Sequence, residues 1–356
     1  MVKRISIGEF FESFKGIPLL DTRTPAEFEK GHIPGAFNLP LFSNEERVLV
    51  GTTYKQKGRE DAILLGFDLT GNKWSGFIKK ALEISPDKRV ALHCWRGGMR
   101  SGAMAWALDF YGFEVTVIEG GYKSYRHWVL DGFEKEFSII VLGGMTGSHK
   151  TEILNEISKK GEQIIDLEGL ANHMGSSFGR MGKLIQPSQE QFENNLAEEI
   201  RHLNPNKIIW MEDESNSIGK IRVPMNLWKQ MQSTAVIEIQ IEDKKRIDFL
   251  TREYGPLDKD FLIDATMHIE KRLGSNHAKE AVEAIRENRM SKFVEIVLVY
   301  YDKSYKRCLS RRIPETVHSL EINYQTPEMA AEEIIEFSKE ISLQPVKNKT
   351  IWNLKQ

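Results

Sequence analysis

Two short segments hold residue types that do chemistry. The first is Cys94-Trp95-Arg96-Gly97-Gly98-Met99-Arg100-Ser101. It follows the apolar run Lys88–His93 and precedes a pattern that predicts a helix over 99–110. A thiol at such a junction faces helix N-terminal amides, which favour the thiolate. Arg96 and Arg100 add positive charge, and the backbone of Gly97 and Gly98 is free to wrap an anion. That combination suits a cysteine nucleophile acting on an anionic sulfur or selenium species. The competing reading of Cys94 is a buried structural thiol. The glycines and arginines around it predict an accessible one.

The second segment is Gly143-Gly144-Met145-Thr146-Gly147-Ser148-His149-Lys150-Thr151, directly after the β-branched run 138–142. It approximates the phosphate-loop pattern Gly-x4-Gly-Lys-Thr, with Gly144, Lys150 and Thr151 in place. Amides of the loop, Thr146 and Gly147 included, would cradle phosphate. Lys150 would neutralise it, and Thr151 would reach a Mg²⁺. His149 stands where glycine is usual. Histidine is enriched among the non-glycine residues at positive φ, so the loop is still expected to form. The competing reading is a plain strand-to-helix turn. Glu212, Asp213 and Glu214 follow the apolar run 207–211, where acids bind a metal or act as a base, or else form a solvated loop. Asp166-Leu167-Glu168-Gly169 ends another run in the same way. No structural metal is expected.

These segments need strands that end where the loops begin. Apolar runs at 17–21, 88–93 and 115–118, with helical patterns between them, predict a parallel α/β sheet. Thr24-Pro25-Ala26-Glu27 predicts a capped helix start: Thr24 at the N-cap, Pro25 in the first position, Glu27 closing a capping box. A second α/β unit starts at Phe137, with runs at 138–142, 164–166, 207–211 and 235–241 and a late strand at 320–324. Residues 258–312 read as mainly helical, 328–341 as an amphipathic helix, and the last residues as a frayed tail.

Composition sets the outer limits. At 356 residues the chain has the length of two domains. Lys+Arg number 49 against 51 Asp+Glu, which excludes a blanket polycation but not a local basic face. Two cysteines rule out a disulfide framework and a four-cysteine zinc site, and point to a reducing, cytoplasmic setting. No apolar stretch approaches a membrane span, and the first residues lack the apolar core of a secretory signal.

The loop at Cys94, with Asp21-Thr22-Arg23, Glu27-Phe28 and Gly31-His32-Ile33-Pro34-Gly35-Ala36 upstream, resembles the rhodanese family. Asp21 and Arg23 are expected to pair near the loop, and the glycines to make tight turns. A rhodanese-like domain over 1–130 joined to a P-loop NTPase-like α/β domain over 137–356, helical towards its end, narrows the field. Gly51-Thr52-Thr53-Tyr54-Lys55-Gln56, the Cys94 loop, the segment 166–173, Gln186-Pro187-Ser188-Gln189 and Glu212-Asp213-Glu214-Ser215 are similar to those of the tRNA 2-selenouridine synthase family. The resemblance runs to about Ser310. His149, and Asn216 after the acidic motif, depart from it.

The resemblance implies a tRNA-modifying transferase. It converts wobble 2-thiouridine to 2-selenouridine through S-geranylation by geranyl diphosphate, with selenophosphate as the selenium donor. Cys94 would handle selenium and the 143–151 loop the diphosphate, geranyl carbons lying on apolar residues beside it, without ATP and with Mg²⁺ as an option. Such an enzyme needs a basic, partly aromatic face. The candidates are Lys79-Lys80, Lys123 with Arg126, Lys244-Lys245-Arg246, Lys271-Arg272, and Lys306-Arg307 with Arg311-Arg312, near Tyr300, Tyr301 and Tyr305; most such runs are merely solvated helix faces. His32, His93 and His173 are candidate acids or bases, His93 reading as structural. Other classes stay open on the residues alone: a rhodanese-regulated P-loop kinase or NTPase, a sulfurtransferase, or a non-catalytic binding module.

Overall fold

The computed structural model describes residues 2–13, 16–173, 185–323 and 326–341. The chain divides into two compact units. Among the described residues, one is 2–132 with Glu193–Glu198. The other is Phe133–Phe192 with 199–341.

The first unit is built on five parallel strands: β1 (Lys3–Ile5), β2 (Leu19–Asp21), β3 (Phe37–Asn38), β4 (Arg89–His93) and β5 (Glu114–Ile118), in the order β1-β5-β4-β2-β3. β4 is the middle strand, with Asp21 of β2 opposite its last residue, His93. Leu20, Val90, Leu92 and Val117 fill the interior against Met104 and Leu108 of the helix Met99–Tyr111. Each such side chain, fully buried, contributes roughly 1.5–3 kcal/mol. The helix Pro25–Lys30 starts as expected: Thr24 caps it, Glu27 closes the capping box and Pro25 opens the first turn. Three further helices, Asn44–Gln56, Arg59–Thr70 and Trp74–Ile84, cover residues for which the sequence offered no firm pattern.

The second unit repeats the plan. Its strands β6 (Ile139–Gly144), β7 (Gln163–Ile165), β8 (Ile209–Glu212), β11 (Ala235–Gln240) and β12 (Val317–Glu321) are parallel, in the order β12-β11-β6-β8-β7. β9 (Ser217–Ile218) and β10 (Ile221–Arg222) form a small antiparallel pair. β6, again the middle strand, is buried throughout and carries Ile140 and Leu142 into a core with Ile153, Ile157, Trp210 and Ile237. The late strand lies earlier than the apolar residues suggest, because Val317–Glu321 pairs residue for residue with Val236–Gln240. Tyr324 of that expected strand lies outside the described residues. The helical part runs through Lys259–His268, Ser275–Arg286 and Met290–Leu309, around a core of Leu262, Ala281, Phe293 and Val297. The final helix is Pro327–Ser338, and the tail after Ile341 lies outside the described residues. Among the described residues, no helix is long and apolar enough to cross a membrane.

Candidate active sites: a thiol loop and a phosphate loop

Cys94 is the first residue past β4, and the helix Met99–Tyr111 begins five residues later. Its sulfur receives the Gly98 amide at 3.2 Å and the Ser101 hydroxyl at 3.3 Å. The loop can turn back on itself because Gly97 adopts φ +65°; a Cβ there would sit 2.6 Å from the Ile118 carbonyl oxygen. The Cys94 carbonyl accepts the Tyr122 amide at 2.9 Å, which ties the loop to the start of the helix Gly121–Gly132.

The accessible thiol expected from the flanking glycines and arginines is corrected here: Cys94 is only 4% exposed. The glycines shape the loop so that its amides point inward at the sulfur, which places the sulfur at the bottom. Burial pushes the thiol pKa up. The Ser101 hydroxyl and the amides of Ser101 and Arg96 oppose it, Arg100 adds to them, and the net position is below the ordinary thiol range.

The two arginines of the loop part company. Arg96 is exposed. Arg100 holds Glu27 with both ends of its guanidinium, at 2.6 and 3.3 Å. Arg100 therefore braces the loop against the helix Pro25–Lys30 rather than standing open to an anion. Glu27 serves that pair and the capping box together. Burial raises its pKa, but Arg100 and the Thr24 amide more than offset this and hold it below the usual carboxylate value.

Asp21 and Arg23 pair as the sequence predicts, at 2.6 Å and 1% exposure or less. Arg23 also donates to Gly31 O at 2.7 Å and lies 3.6 Å over the Tyr122 ring. His93 is buried in the same layer, its Nδ1 3.2 Å from Cys94 O, and burial lowers its pKa. It is a structural neighbour of the thiol. His32 stacks on Phe28 at 3.9 Å.

The second loop forms as expected at its doubtful position. His149 takes φ +57°, ψ +28°, with its ring 3.8 Å from Phe249, and Lys150 opens the helix Lys150–Lys159. Gly147 adopts φ +84°; a Cβ there would meet Leu250 Cδ1 at 2.9 Å. Lys150 Nζ lies 2.9 Å from Gly144 O, folded over its own loop. Ser148, which the sequence did not single out, closes the turn by donating to Met145 O at 2.7 Å.

Arg246 braces this loop from the helix Asp243–Tyr254. It is 2% exposed, donates to Thr146 O at 3.0 Å, and is paired with Asp243 and Asp302. It was expected in a solvent-facing basic cluster; burial under the phosphate loop removes it from any nucleic-acid face. Arg312 is corrected for the same reason: it is buried and bonds Met231 O and Asp213, at 2.7 and 2.5 Å.

That last contact also corrects Asp213. It turns to Arg312, while Glu212 and Glu214 turn to Glu168, a residue the sequence placed at the end of a strand without connecting it to them. The carboxylates of Glu168, Glu212 and Glu214 have oxygens within 4.8 Å of one another. Thr151 donates to Glu212 Oε1 at 2.7 Å, and Glu212 Oε2 is buried with no hydrogen-bond partner among the described residues. Burial and mutual repulsion raise all three, Glu212 to about 8. A divalent cation is the group whose charge would relieve them. His173 is nearly buried, its amide bonded to Glu168 O at 3.1 Å.

A thiol loop on one parallel sheet and a phosphate loop on another define the class: a rhodanese-like unit joined to a P-loop-like unit. The rhodanese-like domain family matches residues 9–127, and the tRNA 2-selenouridine synthase AAA domain family matches 137–324. A tRNA 2-selenouridine synthase of Sulfurovum sp. (strain NBC37-1) is 36% identical over 83% of this chain and 89% of its own length. One of Pseudomonas putida (strain F1) is 33% identical over 76% and 79%. One of Nitrosomonas europaea is 38% identical over 67% of this chain, and the match spans 63% of that relative's length, just under two thirds. The chain belongs to the tRNA 2-selenouridine synthase family.

Proposed function

We propose that this protein modifies tRNA, converting wobble 2-thiouridine to 2-selenouridine in two steps served by its two loops. In the first, the thiocarbonyl sulfur of the base attacks the terminal carbon of geranyl diphosphate and diphosphate leaves. Amides of the 143–151 loop and Lys150 hold that diphosphate. In the second, the selenium of selenophosphate, handled at Cys94, attacks C2 of the base and geranylthiol leaves; water then takes the phosphoryl group from selenium, releasing phosphate and 2-selenouridine. A thiocarbonyl sulfur is a poor leaving group, and alkylation makes it a better one. Both donors arrive activated, so no ATP is required.

The observation that carries this reading is the Cys94 sulfur receiving two donors at 3.2 and 3.3 Å, with its pKa lowered in spite of burial. Donors to the sulfur favour its thiolate, the form in which a cysteine acts as a nucleophile. The relatives' shared name supplies the substrate class. Mg²⁺ fits Glu168, Glu212 and Glu214, with Thr151 bonded to Glu212 and the second Glu212 oxygen without a hydrogen-bond partner among the described residues. Bound there, it would neutralise charge on the departing diphosphate. The exposed pairs Lys79-Lys80 on the first unit, and Lys271-Arg272 and Lys306-Arg307 on the second, are proposed to meet tRNA phosphates, in the cytoplasm.

The test is mass spectrometry of nucleosides after incubating the protein with 2-thiouridine tRNA and geranyl diphosphate, with and without selenophosphate. The expected products are the geranyl thioether without selenophosphate and 2-selenouridine with it. Unchanged 2-thiouridine in both, or ATP hydrolysis in the absence of tRNA, defeats the proposal.

A further inference from the structure

The first unit forms a half-open cavity of about 1040 Å³ that no step above uses. Its volume lies just above the roughly 300–1,000 Å³ typical of small-molecule sites. The walls are Phe42, Ile63, Phe67 and Trp74, with Met99 and Gly102 from the helix that follows the thiol loop. Four arginines also line it, Arg4, Arg47, Arg59 and Arg100, together with Lys55, and no acidic residue does. The cavity reaches the thiol loop itself. Gly98 lines it, and the Gly98 amide is the donor 3.2 Å from Cys94 Sγ. Arg4 lines it too and donates to Gly97 O at 3.4 Å.

We infer that this cavity is the seat of a branched isoprenoid chain of about ten carbons while selenium replaces sulfur at the base. An apolar lining takes the chain. The cations that line the cavity, apart from Arg100, which Glu27 holds, take the anionic backbone or head group attached to the chain. The end at Gly98 brings the sulfur that carries the chain up to the thiol. Holding the chain here also gives the leaving geranylthiol an apolar place to go. This inference rests on the proposed two-step reaction, and it locates the alkyl group in the unit that bears Cys94 rather than beside Lys150.

Gly102 offers a way to fill the cavity, since a Cβ there meets nothing within 4 Å. Calorimetric titration of the whole chain with S-geranyl-2-thiouridine, and separately with geranyl diphosphate, reads the site. The expected result is saturable binding of the thioether nucleoside that Gly102→Leu weakens at least tenfold, whereas 2-thiouridine without the chain does not bind. A diazirine-bearing geranyl thioether should label peptides within 41–74 or 98–103. If geranyl diphosphate binds and is also weakened by Gly102→Leu, the cavity serves the free donor as well as the alkylated base; if Gly102→Leu leaves it unchanged, the donor sits elsewhere and the cavity takes the base-bound chain. Thioether binding equal in Gly102→Leu and the unaltered protein, or labelling confined to the second unit, overturns the inference. Selenouridine formation with no binding in the cavity sinks this placement and leaves the two-step reaction standing. Binding without selenouridine formation does the reverse.

Discussion

The two loops solve one geometric problem in different chemical terms. Each follows the middle strand of a five-stranded parallel sheet and runs into a helix N-terminus, β4 into Met99–Tyr111 and β6 into Lys150–Lys159. That is where backbone amides converge and anions collect. At the thiol loop the acceptor is the protein's own, so the Gly98 amide and the Ser101 hydroxyl already have the Cys94 sulfur as their partner. The nearest arginine is occupied by Glu27, and a buried Asp21–Arg23 pair stiffens the layer beneath. At the phosphate loop the negative group must come from outside. Lys150 meanwhile rests on Gly144 O, and beside it burial and mutual repulsion raise the carboxyl pKa values of Glu168, Glu212 and Glu214. On the proposed reading, one loop holds an acceptor of its own and the other receives its anion from the substrate.

The sharpest way to break this comparison is to disable each loop in turn. Cys94→Ser should reduce 2-selenouridine below detection while the geranyl thioether still forms, read by nucleoside mass spectrometry. Lys150→Ala should lower thioether formation by about 10²–10³-fold, the scale of removing one strong transition-state contact, and leave alkylation of Cys94 by iodoacetamide unchanged. If one variant removed both activities, the separation of roles would be wrong.

Stability gives the next largest contrast. Asp21→Asn leaves the Arg23 guanidinium buried without its counter-charge, a loss of about 3–5 kcal/mol. Urea unfolding followed by far-UV circular dichroism should show the first unit melting earlier, with the second unit's transition in place.

The pH behaviour of the two sites should run in opposite directions. The Cys94 thiol sits below its unfolded value. Its contribution to stability is therefore present above the unfolded thiol pKa and is lost as pH falls through the folded one. Ser101→Ala removes the principal side-chain donor, so the midpoint of the iodoacetamide rate against pH should rise by about one unit. Glu212 sits above its unfolded value, at about 8. Unfolding then releases a proton between the ordinary carboxylate range and pH 8, and stability falls as pH rises across that window. Glu212→Gln keeps an acceptor for Thr151 and should flatten this decline. Added Mg²⁺ should oppose it as well, by binding more tightly as the protons leave. A decline equally steep in Glu212→Gln would remove the acidic cluster from the account.

Much of this was legible one element at a time. The capping box at Thr24 and Glu27, the pairing of Asp21 with Arg23, and the tolerance of His149 for positive φ are local matters, decided by residues within a few positions of one another. What went unread depended on distance along the chain. Ser101 reaches the sulfur only because the helix begins where it does. Glu27 and Arg100 are 73 residues apart, and Arg312 and Asp213 are 99 apart. A charged residue in a polar run looks the same in sequence whether it faces water, like Lys306, or lies under a loop, like Arg246.

The sequence by itself determined the two loops, the strands that end at them and the parallel α/β class, because glycine placement, capping and hydrophobic periodicity act over short range. Only the tertiary structure decided that Cys94 lies at the bottom of its loop, that Asp213 leaves its neighbours for Arg312 while Glu168 joins them, and that a cavity opens beside Gly98. Burial and partner choice depend on which distant surfaces the sheets bring together, and nothing in the local order of residues encodes that.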